Sequence, residues 1–266
     1  MEKIAVLIPC YNEEMTIGKV IDDFKRELPK SSIYVFDNNS GDKTYEIAEE
    51  HGAIVKTEFR QGKGNAVRSM FQEIDADIYI MVDGDDTYEA SDVHKLIDKI
   101  HKGADMAIGD RLSTTYFEEN KKVLHGFGNK LVRWMVNLFY GSKVEDVMTG
   151  YRAFSKKFVR SFPAKSEGFE LETEMTIFAL ENNLIISSVP IGYRDRPEGS
   201  KSKVKAIRDG FKIIMFILAS VLTYKKYVPI ALIALLFGIL SLFVESYRVP
   251  IIISLVLFIV AILCRN

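Results

Sequence analysis

Cysteine is scarce in this 266-residue chain: there are two, Cys10 and Cys264, near opposite ends. They offer no disulfide framework, which fits a reducing compartment. Charge is almost missing from the C-terminal end, where only Glu245, Arg248 and Arg265 are charged between Tyr227 and Asn266. The formal net charge of -1 therefore hides a strong asymmetry, a polar portion followed by an apolar one. Basic residues nowhere gather with interleaved aromatics, which excludes nucleic acid as a partner. The N-terminus, Met1-Glu2-Lys3-Ile4, runs straight into a strand pattern, and no signal peptide is expected. The length allows one large domain or two smaller ones.

What is present is organised around Asp77 to Asp86. A short run of β-formers, Ile78 to Val82, ends abruptly in Asp83, Asp85 and Asp86 around Gly84. This pattern predicts a buried strand emptying into a loop. Open α/β sheets bind ligands just beyond the carboxyl ends of their strands. Asp83 and Asp85, two residues apart, point the same way in an extended segment, and such hard oxygen ligands suit Mg²⁺ or Mn²⁺ shared with phosphates. An acidic turn would read the same, since Asp-Gly is a common turn dipeptide. The neighbouring loops decide between them.

Those neighbours repeat one theme. A strand over Ile4 to Ile8, stopped by Pro9, precedes a helix with Ile17, Val20, Ile21, Phe24 and Leu28 on one face. A second strand, Ile33 to Phe36, opens into Asp37-Asn38-Asn39-Ser40-Gly41, and the next helix leads to a third strand over Ala53 to Lys56. Gln61 to Asn65 precedes a helix carrying Val67, Met70, Phe71 and Ile74. After the Asp83 strand, Ser91 is expected to cap a helix (Val93, Leu96, Ile97, Ile100), and Met106 to Ile108 forms a strand ending in Gly109-Asp110-Arg111. Alternating units of this length predict a mostly parallel sheet covered on both faces. Asp37, Lys63, Asp83, Asp85 and Arg111 then line one crevice. No G-x-G-x-x-G follows the first strand, and Gly62-Lys63-Gly64 lacks the spacing and the Ser/Thr of a P-loop. A nucleoside diphosphate held through a metal fits better than one held by a glycine cradle.

Pro9-Cys10-Tyr11-Asn12-Glu13, Asp37-Asn38-Asn39-Ser40, Gly62-Lys63-Gly64-Asn65-Ala66 and Asp83-Gly84-Asp85 together resemble the inverting family-2 glycosyltransferases of GT-A fold. Three downstream motifs narrow the resemblance: Asp146-Val147-Met148-Thr149-Gly150-Tyr151-Arg152-Ala153-Phe154, Gly168-Phe169-Glu170-Leu171-Glu172-Thr173-Glu174 and Tyr193 to Lys203. They are similar to the polyprenyl-phosphate group, which includes dolichol-phosphate mannose, glucose and N-acetylglucosamine synthases. The resemblance implies transfer of a sugar from a nucleotide sugar to a polyprenyl or dolichyl monophosphate, with inversion. By position it places Pro9, Tyr11, Glu13, Asp37 and Asn39 around the nucleoside, with Lys63 and Gly84 completing the donor site. Asp83 and Asp85 would hold the metal, Mg²⁺ or Mn²⁺, and Thr87 stands where relatives often have Gln, leaving Asp86 or water as alternative ligands.

Departure of a nucleoside diphosphate calls for charge stabilisation, and Arg194, Arg196 and Lys203 are candidates to close over it. The acceptor is already an oxyanion, so it needs positioning more than a base. Arg111, Asn129 and Arg133 are the candidates to grip it, with Asp85, Arg111 and Arg133 expected to carry catalysis. Arg133 also fits a snorkelling role on an amphipathic helix with Leu131, Trp134, Met135 and Leu138. One of Glu170, Glu172 and Glu174, which open a helix, is expected to orient an arginine. His51, His94 and His101 read as solvated, His125 as nearer the ligand, and Cys10 as packing. The Asp83 to Tyr88 and Asp146 to Thr149 variants look closer to UDP-N-acetylglucosamine or UDP-glucose users than to those of GDP-mannose. A processive polysaccharide synthase would carry Q-x-x-R-W, whereas Lys130-Leu131-Val132-Arg133-Trp134 lacks the Gln and precedes Glu172. An inactive membrane scaffold would have no use for Asp83, Asp85, Arg194 and Arg196 together.

Seven basic residues and one acid, Asp209, lie between Lys201 and Lys226, around an apolar stripe of Ile207, Phe211, Ile214, Met215 and Leu218. This predicts a basic amphipathic helix over 204–226 lying on an anionic lipid bilayer. Val228 to Val244 and Val249 to Cys264 predict a transmembrane hairpin over 227–266. Lys225, Lys226 and Arg265 place both of its ends, and the glycosyltransferase domain over 1–203, on the cytoplasmic face of a cell or ER-type membrane. A homo-oligomer is compatible with this reading.

Overall fold

The computed structural model describes residues 2–114, 123–200, 202–203 and 205–225. The chain divides into two compact units, Met1–Ile213 and Ile214–Asn266. The first is built on a seven-stranded sheet, β1 (Ile4–Cys10), β2 (Ser32–Asp37), β3 (Ile54–Thr57), β4 (Ile78–Met81), β5 (Met106–Asp110), β6 (Arg152–Ser155) and β7 (Ile186–Pro190), in the order β3-β2-β1-β4-β6-β5-β7. Every pairing is parallel except those of β6, which runs against both β4 and β5. The mostly parallel sheet expected from the alternating pattern is thus present.

Helices cover both faces, and strand alternation divides the core between them. On one side Val6, Ile8, Val35, Ile80 and Val82 are buried with Ile17, Ile21 and Phe24 of α1 (Ile17–Glu27), Ala48 of α2 (Thr44–Glu50) and Val93 and Leu96 of α4 (Val93–His101). On the other, Tyr79 and Phe154 meet an aromatic cluster made by Phe71 of α3 (Lys63–Glu73), Phe158 of α5 (Lys156–Ser161) and Phe162. Phe178 of α6 (Leu171–Glu181) closes that cluster edge-on. Burial on both faces explains why β4 reads as an unbroken apolar run.

Several boundaries differ from expectation for physical reasons. Pro9 does not stop the first strand but lies within it. The carbonyls of Leu7 and Cys10 bond to Val82 and Asn38 respectively, so Pro9 nitrogen faces the β4 side, beyond the last β1–β4 pair, Leu7 with Met81. No ladder hydrogen bond is lost there. Ser91 does not cap a helix: it sits in a 3-10 turn, Ala90–Asp92, and Asp92 occupies the N-cap position of α4. Strands β6 and β7 were not expected from the sequence at all.

Between β5 and β6 a long helix, Val123–Tyr140, buries Val132, Met135 and Val136 and exposes Phe127, Trp134 and Leu138 along one face. A last described helix, Ala206–Tyr224, begins in the first unit and continues into the second. It exposes Ile207, Phe211, Met215, Leu218 and Leu222, which recur at three- and four-residue intervals on one face. No helix among the described residues is long and apolar enough to cross a membrane, and the hairpin expected over 227–266 lies outside them.

Candidate active site

Strand order reverses between β1 and β4, which run parallel. After β1 the sheet grows through β2 to β3, and then returns to the other side of β1. That switch point opens a crevice between the loops leaving the two strands, the usual ligand position in an open α/β sheet. Three residues just beyond strand ends, Asn12, Asn39 and Asp86, have φ of 54, 60 and 58°. Asn and Asp tolerate this left-handed region, which turns the loops sharply over the sheet edge. Because β6 runs backwards, its entry loop, Asp146 to Tyr151, reaches the same rim as the exits of β4 and β5.

Charged side chains fill the crevice in linked groups. Arg196 spans it, with Nη2 2.6 Å from Asp85 Oδ2 and Nη1 3.1 Å from Glu13 Oε1. Lys203 Nζ lies 2.8 Å from the same Glu13 oxygen and donates to the carbonyl of Asn12 at 2.6 Å. Lys63 Nζ joins Asp83 Oδ1 at 2.5 Å and also pairs with Glu172. Arg194 is held at the rim by Asp86 at 2.6 Å and Glu89 at 2.8 Å, while its N–H donates to the Thr87 carbonyl. Arg194, Arg196 and Lys203 therefore link the β4 loop to the β1 loop.

The buried carboxylates respond to this arrangement in opposite directions. Burial would push Asp83 up, but Lys63, aided by Arg196 and Arg111, outweighs it and holds the carboxyl below its ordinary value. Asp85 is raised, first by burial and then by the charge of Asp83, against the pull of Arg196 and Thr87. Burial also lifts Glu13 despite Arg196 and Lys203. Such a set of crowded, partly compensated acids marks a functional crevice.

The remaining expected residues fall in distinct places. Asp37 is buried at the end of β2, where Oδ2 accepts from Ser40 N and Oδ1 has no partner. Pro9 is buried, Tyr11 is partly exposed, and Gly84 packs so closely on Cys10 that a Cβ there would lie 2.6 Å from its sulfur. Asn39 is exposed; its neighbour Asn38 is the buried one, tying Glu58, Arg60 and Gly62 to the β2 loop. Thr87 donates to Asp85 at 2.7 Å. Arg111 is held by Asp146 through two bonds, 2.8 and 3.1 Å, and Arg133 lies 3.6 Å from Glu145. Asn129 is buried on the Val123–Tyr140 helix, and the side chain of His125 is outside the described residues. The structure thus joins Glu13, Asp85, Arg196 and Lys203, and separately Asp83, Lys63 and Glu172, whereas Arg133 pairs with Glu145.

Three participants were missed or misjudged from sequence. Glu172 holds a lysine rather than an arginine. Asp146 clamps Arg111, and the hint in the sequence was an acid opening a mostly apolar motif. Arg152, fully buried, donates to the carbonyls of Thr149 and Val147 and to Thr176, shaping the β6 entry loop. Within that loop Gly150 approaches Asp83 so closely that a Cβ would lie 2.2 Å from Oδ2. Gly150→Ala must displace the carboxylate, and turnover is expected to drop about tenfold or more, equivalent to about 1.4 kcal/mol. Steady-state rates at saturating substrate test this; a wild-type value would show that Asp83 can move without consequence.

Comparisons with known proteins agree with this geometry. The sequence profile described as Glycosyl transferase family 2 matches residues 5–164. Glycosyltransferase AglJ of Haloferax volcanii is 36% identical over 210 residues, covering 79% of this chain and 69% of that protein. A dolichyl-phosphate hexose transferase of the same organism is 32% identical over 200 residues, 75% of this chain and 86% of its own length. In fold, the chain is similar to glucosyl-3-phosphoglycerate synthase from Mycobacterium tuberculosis, solved with Mn²⁺, UDP and glucosyl-3-phosphoglycerate. The TM-score is 0.69 at 21% identity, over 82% of this chain and 80% of that one. With the profile spanning the switch-point loops and both aspartates, the chain belongs to glycosyl transferase family 2 and is a glycosyltransferase.

Proposed function

We propose that this enzyme transfers a sugar from UDP-N-acetylglucosamine or UDP-glucose to a polyprenyl or dolichyl monophosphate, with inversion and with Mg²⁺ or Mn²⁺. The observation that carries the reading is the pair of aspartates, half-buried Asp83 and buried Asp85, set at the switch point and balanced by Lys63 and Arg196. No group of three His, Cys, Asp or Glu side chains is clustered for a metal among the described residues. Two carboxylates suit a cation that takes the rest of its oxygens from phosphates and water. Burial, and after it the charge of Asp83, raises Asp85, and a bound cation would favour its ionised form. Asp83 and Asp85 would hold it, and it would neutralise charge developing on the departing diphosphate.

The protein's own groups do the rest. Asp37 offers an unpartnered buried oxygen to a donor N–H on the nucleoside. Arg196 and Lys203, already lying across the crevice, supply guanidinium and ammonium to the diphosphate. The acceptor's monoester oxygen attacks without a strong base, so the task is alignment, which we assign to Arg111, Asn129 and Arg133. The name of the dolichyl-phosphate hexose transferase relative supports the lipid acceptor. So does the Ala206–Tyr224 helix, whose exposed apolar face is flanked by Lys205, Arg208 and Lys212. That helix would lie on a bilayer with the 227–266 hairpin anchoring it and the catalytic domain on the cytoplasmic side.

Purified full-length enzyme should be offered polyprenyl phosphate with UDP-N-acetylglucosamine, UDP-glucose or GDP-mannose in turn, each with Mg²⁺ or Mn²⁺. The expected product is one sugar on the lipid phosphate from a UDP donor. Exclusive use of GDP-mannose would move the assignment to mannosyl transfer, and failure of all three donors to label the lipid would overturn the acceptor.

A further inference from the structure

Lys63 is placed between two acids from distant parts of the chain. Its side chain is 12% exposed, Glu172 on the other side is 5% exposed, and Asp83 is 27% exposed toward the crevice. The ammonium therefore sits between an outer carboxylate and an inner one. Its backbone cannot follow it far. Gly64 N donates to the Glu167 carbonyl at 2.8 Å, and Arg68 bonds to the carbonyls of Lys165 and Ser166, fastening the start of α3 to the segment that leads into α6. Glu174, two residues beyond Glu172 on α6, fixes the same segment by accepting from Lys165 N and Ser166 N. What can move is the end of the lysine side chain.

Resting on the metal reading above, we infer that Glu172 is a positioning residue: it takes over the Lys63 ammonium when a divalent cation occupies Asp83. With Lys63 2.5 Å from Asp83 Oδ1 and a cation about 2.1 Å from the same carboxylate oxygen, the two positive centres would stand within about 5 Å. That repulsion falls on Lys63, which touches two carboxylates. It can relieve it by withdrawing toward Glu172, whose carboxylate already touches it. Lys63 thereby compensates Asp83 before the cation arrives and Glu172 afterwards, and neither buried acid is left alone in either state. Without Glu172, Lys63 would compete with the cation for its only remaining acid.

The test is a Mn²⁺ titration of the full-length protein in the presence of UDP, read from the electron paramagnetic resonance signal of free Mn²⁺. Glu172→Gln keeps the shape and removes the seat, and Mn²⁺ affinity is expected to fall by about tenfold to a hundredfold, as for other residues that support metal ligands. The double variant Lys63→Met with Glu172→Gln removes the competitor as well, leaves no unpaired ammonium, and is expected to bind Mn²⁺ at least as tightly as wild type. Unchanged affinity in Glu172→Gln, even with a lowered melting temperature, would reduce Glu172 to a structural role and overturn the inference. So would a double variant as weak as the single one, since the effect would then not pass through Lys63. If Glu172→Gln fails to fold, the double variant decides alone: binding weaker than wild type overturns the inference. Wild-type protein that takes up no Mn²⁺ with UDP would instead overturn the metal reading itself.

Discussion

Asp85→Asn is expected to fold like the parent and to turn over about a hundredfold more slowly, the scale of losing one electrostatic contact to a developing charge. The fold should survive because burial already disfavours the ionised form of Asp85, and a neutral amide of the same shape can still accept from Thr87. What disappears is the charge that answers Arg196 and, in the proposed function, the cation. The measurement is kcat with saturating donor and acceptor at several Mg²⁺ concentrations, alongside circular dichroism. A mutant that works at the parental rate in chelator would remove Asp85 from any metal site.

Asp146→Ala should act through stability instead. Asp146 is fully buried, and its oxygens accept from Arg111 Nε and Nη2, from Arg111 N and from Met148 N. Removing it takes a carboxylate from a buried guanidinium, which costs about 3–5 kcal/mol. At about 2–4 °C per kcal/mol for a domain of this size, the melting midpoint should fall by about 10 °C. Replacing both partners together, Arg111→Met with Asp146→Leu, should recover much of that loss, because no uncompensated charge remains. Thermal unfolding of the two variants separates the cases. A single variant that melts with the wild type would mean that solvent reaches Arg111 and that the pair contributes nothing.

The parallel half of the sheet was legible because its signals are local. Ile4 to Ile8, Ile33 to Phe36 and Ile78 to Val82 are short apolar runs separated by helices with regular apolar spacing, and each empties into a polar loop. Asp83, Asp85 and Asp37 follow from that punctuation, and Glu13 from the family resemblance. The other half was not legible. Strand β6 is four residues long and begins with Arg152, a residue seldom fully buried, while β7 carries Ser187 and Ser188 in its middle. Ion-pair partners were illegible for a different reason. Lys63 and Glu172 are separated by 109 positions, and only the sheet order brings them together. Nor does periodicity choose between two apolar faces: the Val123–Tyr140 helix buries Val132 and Val136 and leaves Trp134 and Leu138 outside.

The reversed direction of β6 has a bearing on how such chains diversify. Residues 111–151 leave the sheet at the end of β5 and re-enter it at the start of β6, on one and the same rim. The part of that excursion before Asp146 can be lengthened or shortened without disturbing strand order, since doubling a loop adds only about 0.6 kcal/mol of closure entropy. Its return is not free to change, because Asp146 holds Arg111 and Gly150 crowds Asp83 at the rim. In the proposed function, divergence in what receives the sugar has a place to accumulate ahead of Asp146.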